Sequence, residues 1–262
     1  MDHKNIKYSV VIPVFNESRN IAELYKRLKK VLEALAEAYE MIFIDDGSKD
    51  DSFSLLRNIA FTDHEVSVLR FDKNYGQHKA VTAGIFEAQG DYVITLDADL
   101  QNPPEEIPKL VEKIKNGFDM VSGYRKSRKD SFARRIPSLL VNFLIFAITG
   151  LKMNDYGSML RVFKKDTAKS LAVEFKKSGG YITMLIAKIT RNVSEIEVGH
   201  SERYAGQSGY NFTKLAKLVF RILFCYNDNV RNLLRIRQEE PLFIIDRKVE
   251  NGKETELSIG NG

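Results

Sequence analysis

Residues Tyr8–Val14 (YSVVIPV) form a short run rich in β-branched side chains, and from Glu17 to Ala36 apolar positions recur at helical spacing, which predicts a strand followed by a helix. The alternation repeats. Strands are expected at Met41–Ile44, Val66–Phe71, Tyr92–Leu96 and Met120–Val121, separated by helices at Asp51–Ala60, Gln77–Gln89 and Pro104–Asn116. Such β-α-β units specify an α/β fold with a doubly wound, mostly parallel sheet flanked by helices. Beyond Gly123 the rhythm changes. A basic loop over Tyr124–Arg135 precedes an apolar helix at Ile136–Thr149, a strand at Gly157–Phe163, a helix at Gly180–Thr190 and an alternating strand at Val193–Val198. Residues Asn211–Tyr226 read as an amphipathic helix, with Lys214, Lys217 and Arg221 set among apolar side chains. Two β-rich runs around Asn251-Gly252 predict a C-terminal hairpin.

Composition narrows the function classes only slightly. The chain has 262 residues, 44% hydrophobic and 29% charged, enough for one enzyme-sized α/β unit with an appendage and too well mixed for disorder. Its formal charge of +5 suits nucleic acid, anionic lipid or a phosphorylated substrate equally. Cys225 is the only cysteine, which excludes an intrachain disulfide or a cysteine-built zinc site and points to a reducing compartment. The polar start and Pro13 within the first apolar run argue against a signal peptide. The longest apolar stretch, Leu139–Leu151, falls short of the roughly 20 residues a spanning helix needs. The expected location is therefore cytoplasmic.

In an open parallel sheet, ligands sit beyond the carboxyl ends of the strands, so the loops there are where chemistry is expected. Three are acidic: Pro13-Val14-Phe15-Asn16-Glu17, Asp45-Asp46-Gly47-Ser48 and Asp97-Ala98-Asp99-Leu100-Gln101. Asp97 and Asp99 are close enough to repel unless a cation compensates them. With Gln101 they offer three hard oxygens suited to magnesium or manganese, leaving positions for a diphosphate. Each loop also has a plain reading, Asp99 as a helix cap, Asp45–Ser48 as a capped turn and Glu17 as a first-turn carboxylate. Together they gather like charge along one sheet edge, which folding alone does not require. The basic loop supplies the opposite charge, because guanidinium groups grip phosphate in bidentate fashion. His78 and His200 have no partner at metal-ligand spacing, so capping or surface roles are expected for them.

The motifs SVVIPVFNES, IDDGSKDDS, NYGQHKAVTAG and GDYVITLDADLQNPPEEIP, continued by GYRKSR, MNDYGSMLR and HSERYAGQSGY, resemble the family-two glycosyltransferases of the dolichyl-phosphate mannosyltransferase and undecaprenyl-phosphate sugar transferase group. The resemblance covers roughly Tyr8 to Leu218. It implies a GT-A fold, Rossmann-like, over residues 1–210, with 211–262 adding the amphipathic helix and hairpin tail. It further implies inverting, metal-dependent transfer from a nucleotide sugar to a polyprenyl phosphate, or alternatively to a carbohydrate hydroxyl. By similarity Pro13, Phe15, Glu17, Asp46 and Asp97 hold the nucleotide, while Asp97, Asp99 and Gln101 bind the divalent cation. Arg125, Arg134 and Ser138 fall where that family grips the lipid phosphate, with Arg135 an alternative to Arg134. Arg203 closes over the donor, and Asp155 stands at the position of the acidic residue often proposed as the base. The implied partners are a nucleotide sugar, a lipid-linked acceptor and the cytoplasmic membrane surface, with no nucleic acid; a homo-oligomer is compatible with the tail. Neither GxGxxG nor GxxxxGK[ST] occurs, which excludes the common dehydrogenase and P-loop readings.

Overall fold

A computed structural model describes residues 5–125, 145–179, 181–199 and 242–261. The first strand, β1 (Tyr8–Val14), is buried along its whole length, as a continuous apolar run in a parallel sheet should be. It is followed by α1 (Ser18–Ala34), β2 (Tyr39–Asp45), α2 (Ser52–Thr62), β3 (Val66–Phe71), α3 (Gln77–Glu87), β4 (Tyr92–Thr95), a 3₁₀ turn at Pro104–Glu106, α4 (Ile107–Ile114) and β5 (Met120–Tyr124). The second half contributes β6 (Arg161–Lys164), α5 (Lys165–Ser178), α6 (Ile182–Ile189), β7 (Val193–Glu197) and the hairpin β8 (Phe243–Glu250) and β9 (Lys253–Asn261). Among the described residues no helix is long and apolar enough to cross a membrane.

The nine strands among the described residues form one sheet in the order β7-β5-β6-β4-β1-β2-β3-β8-β9. Strands β4, β1, β2 and β3 run parallel, and β6 is antiparallel to both β4 and β5. The apolar faces of α1, α2 and α4 cover one side of the sheet, and those of α3, α5 and α6 the other. From β1 the chain winds to β2 and β3 on one side, then returns to place β4 on the other. The carboxyl ends of β1 and β4 therefore flank a topological switch point, the crevice where such sheets bind ligands. Pro13 suits this place. Ladder pairing between β1 and β4 ends at Val11–Thr95, so a residue without an amide hydrogen costs no bond on that side.

Two expectations in the second half need correction. The strand expected at Gly157–Phe163 is confined to Arg161–Lys164, because the preceding residues build a buried turn instead. The helix at Lys165–Ser178 had not been anticipated. Its buried face, Ala168, Leu171, Ala172 and Phe175, has helical spacing, but two of the four positions are alanine, which weakens the periodic signal. The hairpin turn at Asn251-Gly252 forms with both residues at positive φ, as a two-residue loop of this kind requires. Its first strand pairs with β3, so residues 243–250 continue the sheet of the unit expected over 1–210. The helix expected at Asn211–Tyr226 and most of that at Ile136–Thr149 lie outside the described residues; 145–149 are helical.

Candidate active site

The loops after β1 and β2 are stitched together. Ser48 Oγ accepts the Asn16 amide at 3.0 Å, Asn16 Oδ1 accepts the Lys49 amide at 2.8 Å, and Ser52 Oγ accepts the Glu17 amide at 2.9 Å. Glu17 is oriented by the Asn20 side-chain amide, and Phe15 leaves a large apolar ring 41% exposed beside it. Gly47 lies at φ +67°, and a Cβ there would come within 2.4 Å of the Lys73 carbonyl carbon. Gly47→Ala is expected to cost about 2 kcal/mol, measurable by thermal unfolding, since both the backbone conformation and the close approach to Lys73 resist a side chain.

Asp46 fastens this pair of loops to the start of α3. One carboxylate oxygen accepts the Tyr75 amide at 2.7 Å, and the other accepts the Gly76 amide and Asn74 Nδ2, both at 2.9 Å. Burial nevertheless dominates and pushes its pKa up to about 6. Three of roughly four acceptor positions are used, leaving capacity for one donor from a ligand. Asp45 beside it is fully buried, with Arg70 Nε 3.6 Å from Oδ2.

At the end of β4, Asp97 accepts a short hydrogen bond from the Gln77 side chain, and Asp99 Oδ1 accepts the Gln101 amide at 3.1 Å. Asp97 is half-buried, and this partial removal from water with the neighbouring Asp99 charge pushes it up to about 7, against the opposing pull of Arg125, Gln77 and Arg161. Between these carboxylates and Gln101, the buried Leu100 sits at φ 60°, a conformation uncommon for a branched residue and typical of functional loops. Among the described residues no three histidine, cysteine or acidic side chains form a ready metal cage. The mutual repulsion of the two carboxylates is what a cation would relieve, and a side-chain oxygen of Gln101 would complete an all-oxygen set with them. The residues present fit a hard divalent ion.

Across the crevice, Arg125 follows β5 and donates from Nε to Asp155 Oδ2 at 2.8 Å, with the Arg125 side chain only 12% exposed. Pro13, Phe15, Glu17, Asp46, Asp97, Asp99, Gln101, Arg125 and Asp155 therefore all lie at the carboxyl ends of the parallel strands or in the turn before β6 that meets them. Arg134, Arg135, Ser138 and Arg203 lie outside the described residues. His78, expected to cap or face solvent, packs edge-on against Tyr181 with ring centres 4.9 Å apart.

Residues 9–172 match the Glycosyl transferase family 2 model. The chain belongs to that family. Among relatives of this family 2 enzyme, the undecaprenyl-phosphate 4-deoxy-4-formamido-L-arabinose transferase of Shewanella sediminis is 43% identical over 223 residues, 84% of this chain and 67% of the relative. The protein of the same name from Proteus mirabilis is 42% identical over 231 residues, 88% of this chain and 71% of the relative. Among solved structures, the glucosyl-3-phosphoglycerate synthase of Mycobacterium tuberculosis, in complex with Mn2+, UDP and phosphoglyceric acid, superposes with a TM-score of 0.63 at 20% identity, covering 84% of this chain and 77% of that one. The protein is thus a glycosyltransferase with the GT-A fold.

The family 2 site also contains side chains that sequence reasoning did not single out. Gln77 holds Asp97, Glu195 holds the turn carrying Asp155, and the wholly buried Arg161 stands behind both carboxylates. A visible signal existed for Arg161 alone, a charge inside the apolar run Met159–Phe163.

Proposed function

We propose that this glycosyltransferase transfers a sugar, with inversion, from a nucleotide sugar to a polyprenyl phosphate at the cytoplasmic face of a membrane. The observation that carries the reading is the Arg125–Asp155 pair, facing the Asp97–Asp99 loop across the switch-point crevice. It is supported by the relatives, which are named for transfer to undecaprenyl phosphate. On this reading Phe15 packs against the donor base, the remaining acceptor position of Asp46 takes a base or ribose donor, and Asp97, Asp99 and Gln101 hold the divalent cation. When bound, that cation acts as a Lewis acid that neutralises charge growing on the leaving diphosphate.

Arg125 grips the acceptor phosphate and aligns one of its oxygens with the anomeric carbon, opposite the leaving group. A single in-line displacement then inverts the configuration. A phosphate is already an anionic nucleophile at neutral pH, so Asp155 orients Arg125 and need not remove a proton. A sugar hydroxyl would require it as general base, and its engagement by a guanidinium disfavours that role. Arg134 or Arg135, Ser138 and Arg203 complete the proposed acceptor and donor contacts.

The test is radiolabel transfer with purified protein, Mn2+ and a panel of nucleotide sugars, comparing undecaprenyl phosphate with a lipid-linked saccharide. Label on the bare lipid phosphate is expected; label on the saccharide alone would overturn the phosphate acceptor. In the same assay, Arg125→Ala is expected to lower kcat/KM for the phosphate acceptor by about 100-fold, through loss of a charge-assisted phosphate contact. Unchanged kinetics would show that this arginine does not read phosphate.

A further inference from the structure

The turn at 154–157 is held by two charged side chains, Glu195 from β7 and Arg161 from β6, the strand that follows the turn. Glu195 of β7 accepts the Asn154 amide at 2.7 Å and Asn154 Nδ2 at 3.0 Å on one oxygen, and the Asp155 amide at 3.3 Å on the other. From the opposite side, the Tyr156 carbonyl accepts Arg161 Nη2 and Thr183 Oγ1, each at 2.9 Å. Arg161 Nη2 also donates to Thr183 Oγ1 at 2.9 Å, which closes the triangle. Within the turn, Asp155 Oδ1 accepts the Gly157 amide at 3.0 Å, which leaves Oδ2 directed at Arg125.

The register explains how residues on two different strands meet at one turn. Arg161 and Glu195 each lie opposite Ser122 of β5, one on β6 and the other on β7. In-register neighbours share a face, and Thr183 of α6 packs on that face. Three residues beyond Ser122 the same β5 strand delivers Arg125. The turn and the arginine are therefore referenced to one level of the sheet.

Holding a turn does not require charge. Backbone or hydroxyl partners would serve without the cost of burying a guanidinium, which here is 1% exposed and whose Nε has no hydrogen-bond partner among the described residues. We infer that Glu195 and Arg161 are positioning residues for the acceptor phosphate: they lock the 154–157 turn so that Asp155 holds the Arg125 guanidinium in its phosphate-binding orientation. This rests on the reading of Arg125 as the acceptor contact. On this inference Glu195 acts through Asp155, and Arg161 acts on the same turn through the Tyr156 carbonyl while its charge also reaches Asp97.

Acceptor kinetics at saturating donor separate this role from a merely structural one, with UDP and Mn2+ affinity measured alongside by calorimetry and unfolding followed by heat. Glu195→Ala is expected to lower kcat/KM for undecaprenyl phosphate by about 10- to 100-fold, chiefly through acceptor KM, while UDP affinity holds. Glu195→Gln, which keeps one acceptor oxygen for the Asn154 amide, should recover part of the loss. Thr183→Val tests the other side of the grip without removing the buried charge and should shift acceptor KM in the same direction. A wild-type acceptor KM in Glu195→Ala, or an equal loss of UDP affinity, overturns the inference while Arg125→Ala still reports on the acceptor site. If Arg125→Ala leaves acceptor KM unchanged, the acceptor reading fails, and the inference built on it fails as well.

Discussion

Asp99→Asn is expected to reduce turnover by roughly 10³-fold at saturating substrates while leaving the protein folded. The substitution removes charge and little else. The bond from the Gln101 amide to Asp99 Oδ1, 3.1 Å long, can be accepted by the asparagine carbonyl, so that support of the loop is kept. What disappears is half of the anionic pair that would hold a divalent cation beneath the donor diphosphate. Near-normal activity in Mn2+ would remove that cation from the mechanism.

The same variant carries a stability signature of opposite sign. Asp99 is the largest charge effect raising Asp97, whose pKa is lifted from its ordinary 3.8 to about 7. A carboxyl with a raised folded-state pKa costs stability when ionised; the cost grows as pH rises from about 4 and is complete above about 7. Removing the Asp99 charge lowers that cost. The metal-free Asp99→Asn protein should therefore unfold at a higher temperature than the parent at pH 8, with the gain fading toward pH 5. A uniform loss of stability at both pH values would mean that Asp99 serves the loop as a cap and not as one of two opposed charges.

The difference between what the sequence disclosed and what it concealed follows from where each interaction lies along the chain. Strand β1 falls at its expected bounds because burial on both faces leaves a nearly continuous apolar run, and β3 does so because Val66, Val68, Leu69 and Phe71 keep a β-branched and aromatic pattern around the half-buried Ser67 and Arg70. The stretch before β6 misled because Met159 and Leu160 are apolar and buried, yet lie in an irregular segment after the turn: Thr95 Oγ1 and the Gly123 amide donate to their carbonyls. The acidic loops were legible because each directly follows a strand, so local pattern alone assigns them to one edge. Their supports were not. Gln77 reaches Asp97 across 20 residues and Glu195 reaches Asp155 across 40. Both contacts depend on the strand order, above all on β6 running antiparallel between β4 and β5, which hydrophobic periodicity does not encode.

Arg161 concentrates that dependence, and Arg161→Met is expected to have the largest effect on stability. Burial lowers the guanidinium below its ordinary pKa, against the stabilising fields of Tyr181, Asp155, Asp97 and Glu195. Methionine fills much of the same volume, so lost packing contributes little. The Tyr156 carbonyl also keeps its bond from Thr183 Oγ1. The cost comes from three carboxylates left facing a site without its buried cation, and removal of one member of a buried charge system typically costs about 3 kcal/mol or more. For a chain of this size that corresponds to a fall in Tm of roughly 6–12 °C. Arg161 is among the groups holding Asp97 down, so the deficit should be deeper at pH 8, where Asp97 is ionised, than at pH 5. Adding Asp99→Asn should return part of the loss, because one variant deletes a cation and the other an anion acting on the same Asp97 carboxylate; the double-mutant cycle measures that coupling. Strict additivity of the two changes, or a loss below about 1 kcal/mol for Arg161→Met alone, would show that the guanidinium acts only as a hydrogen-bond donor to the turn and that the site's carboxylates are balanced elsewhere.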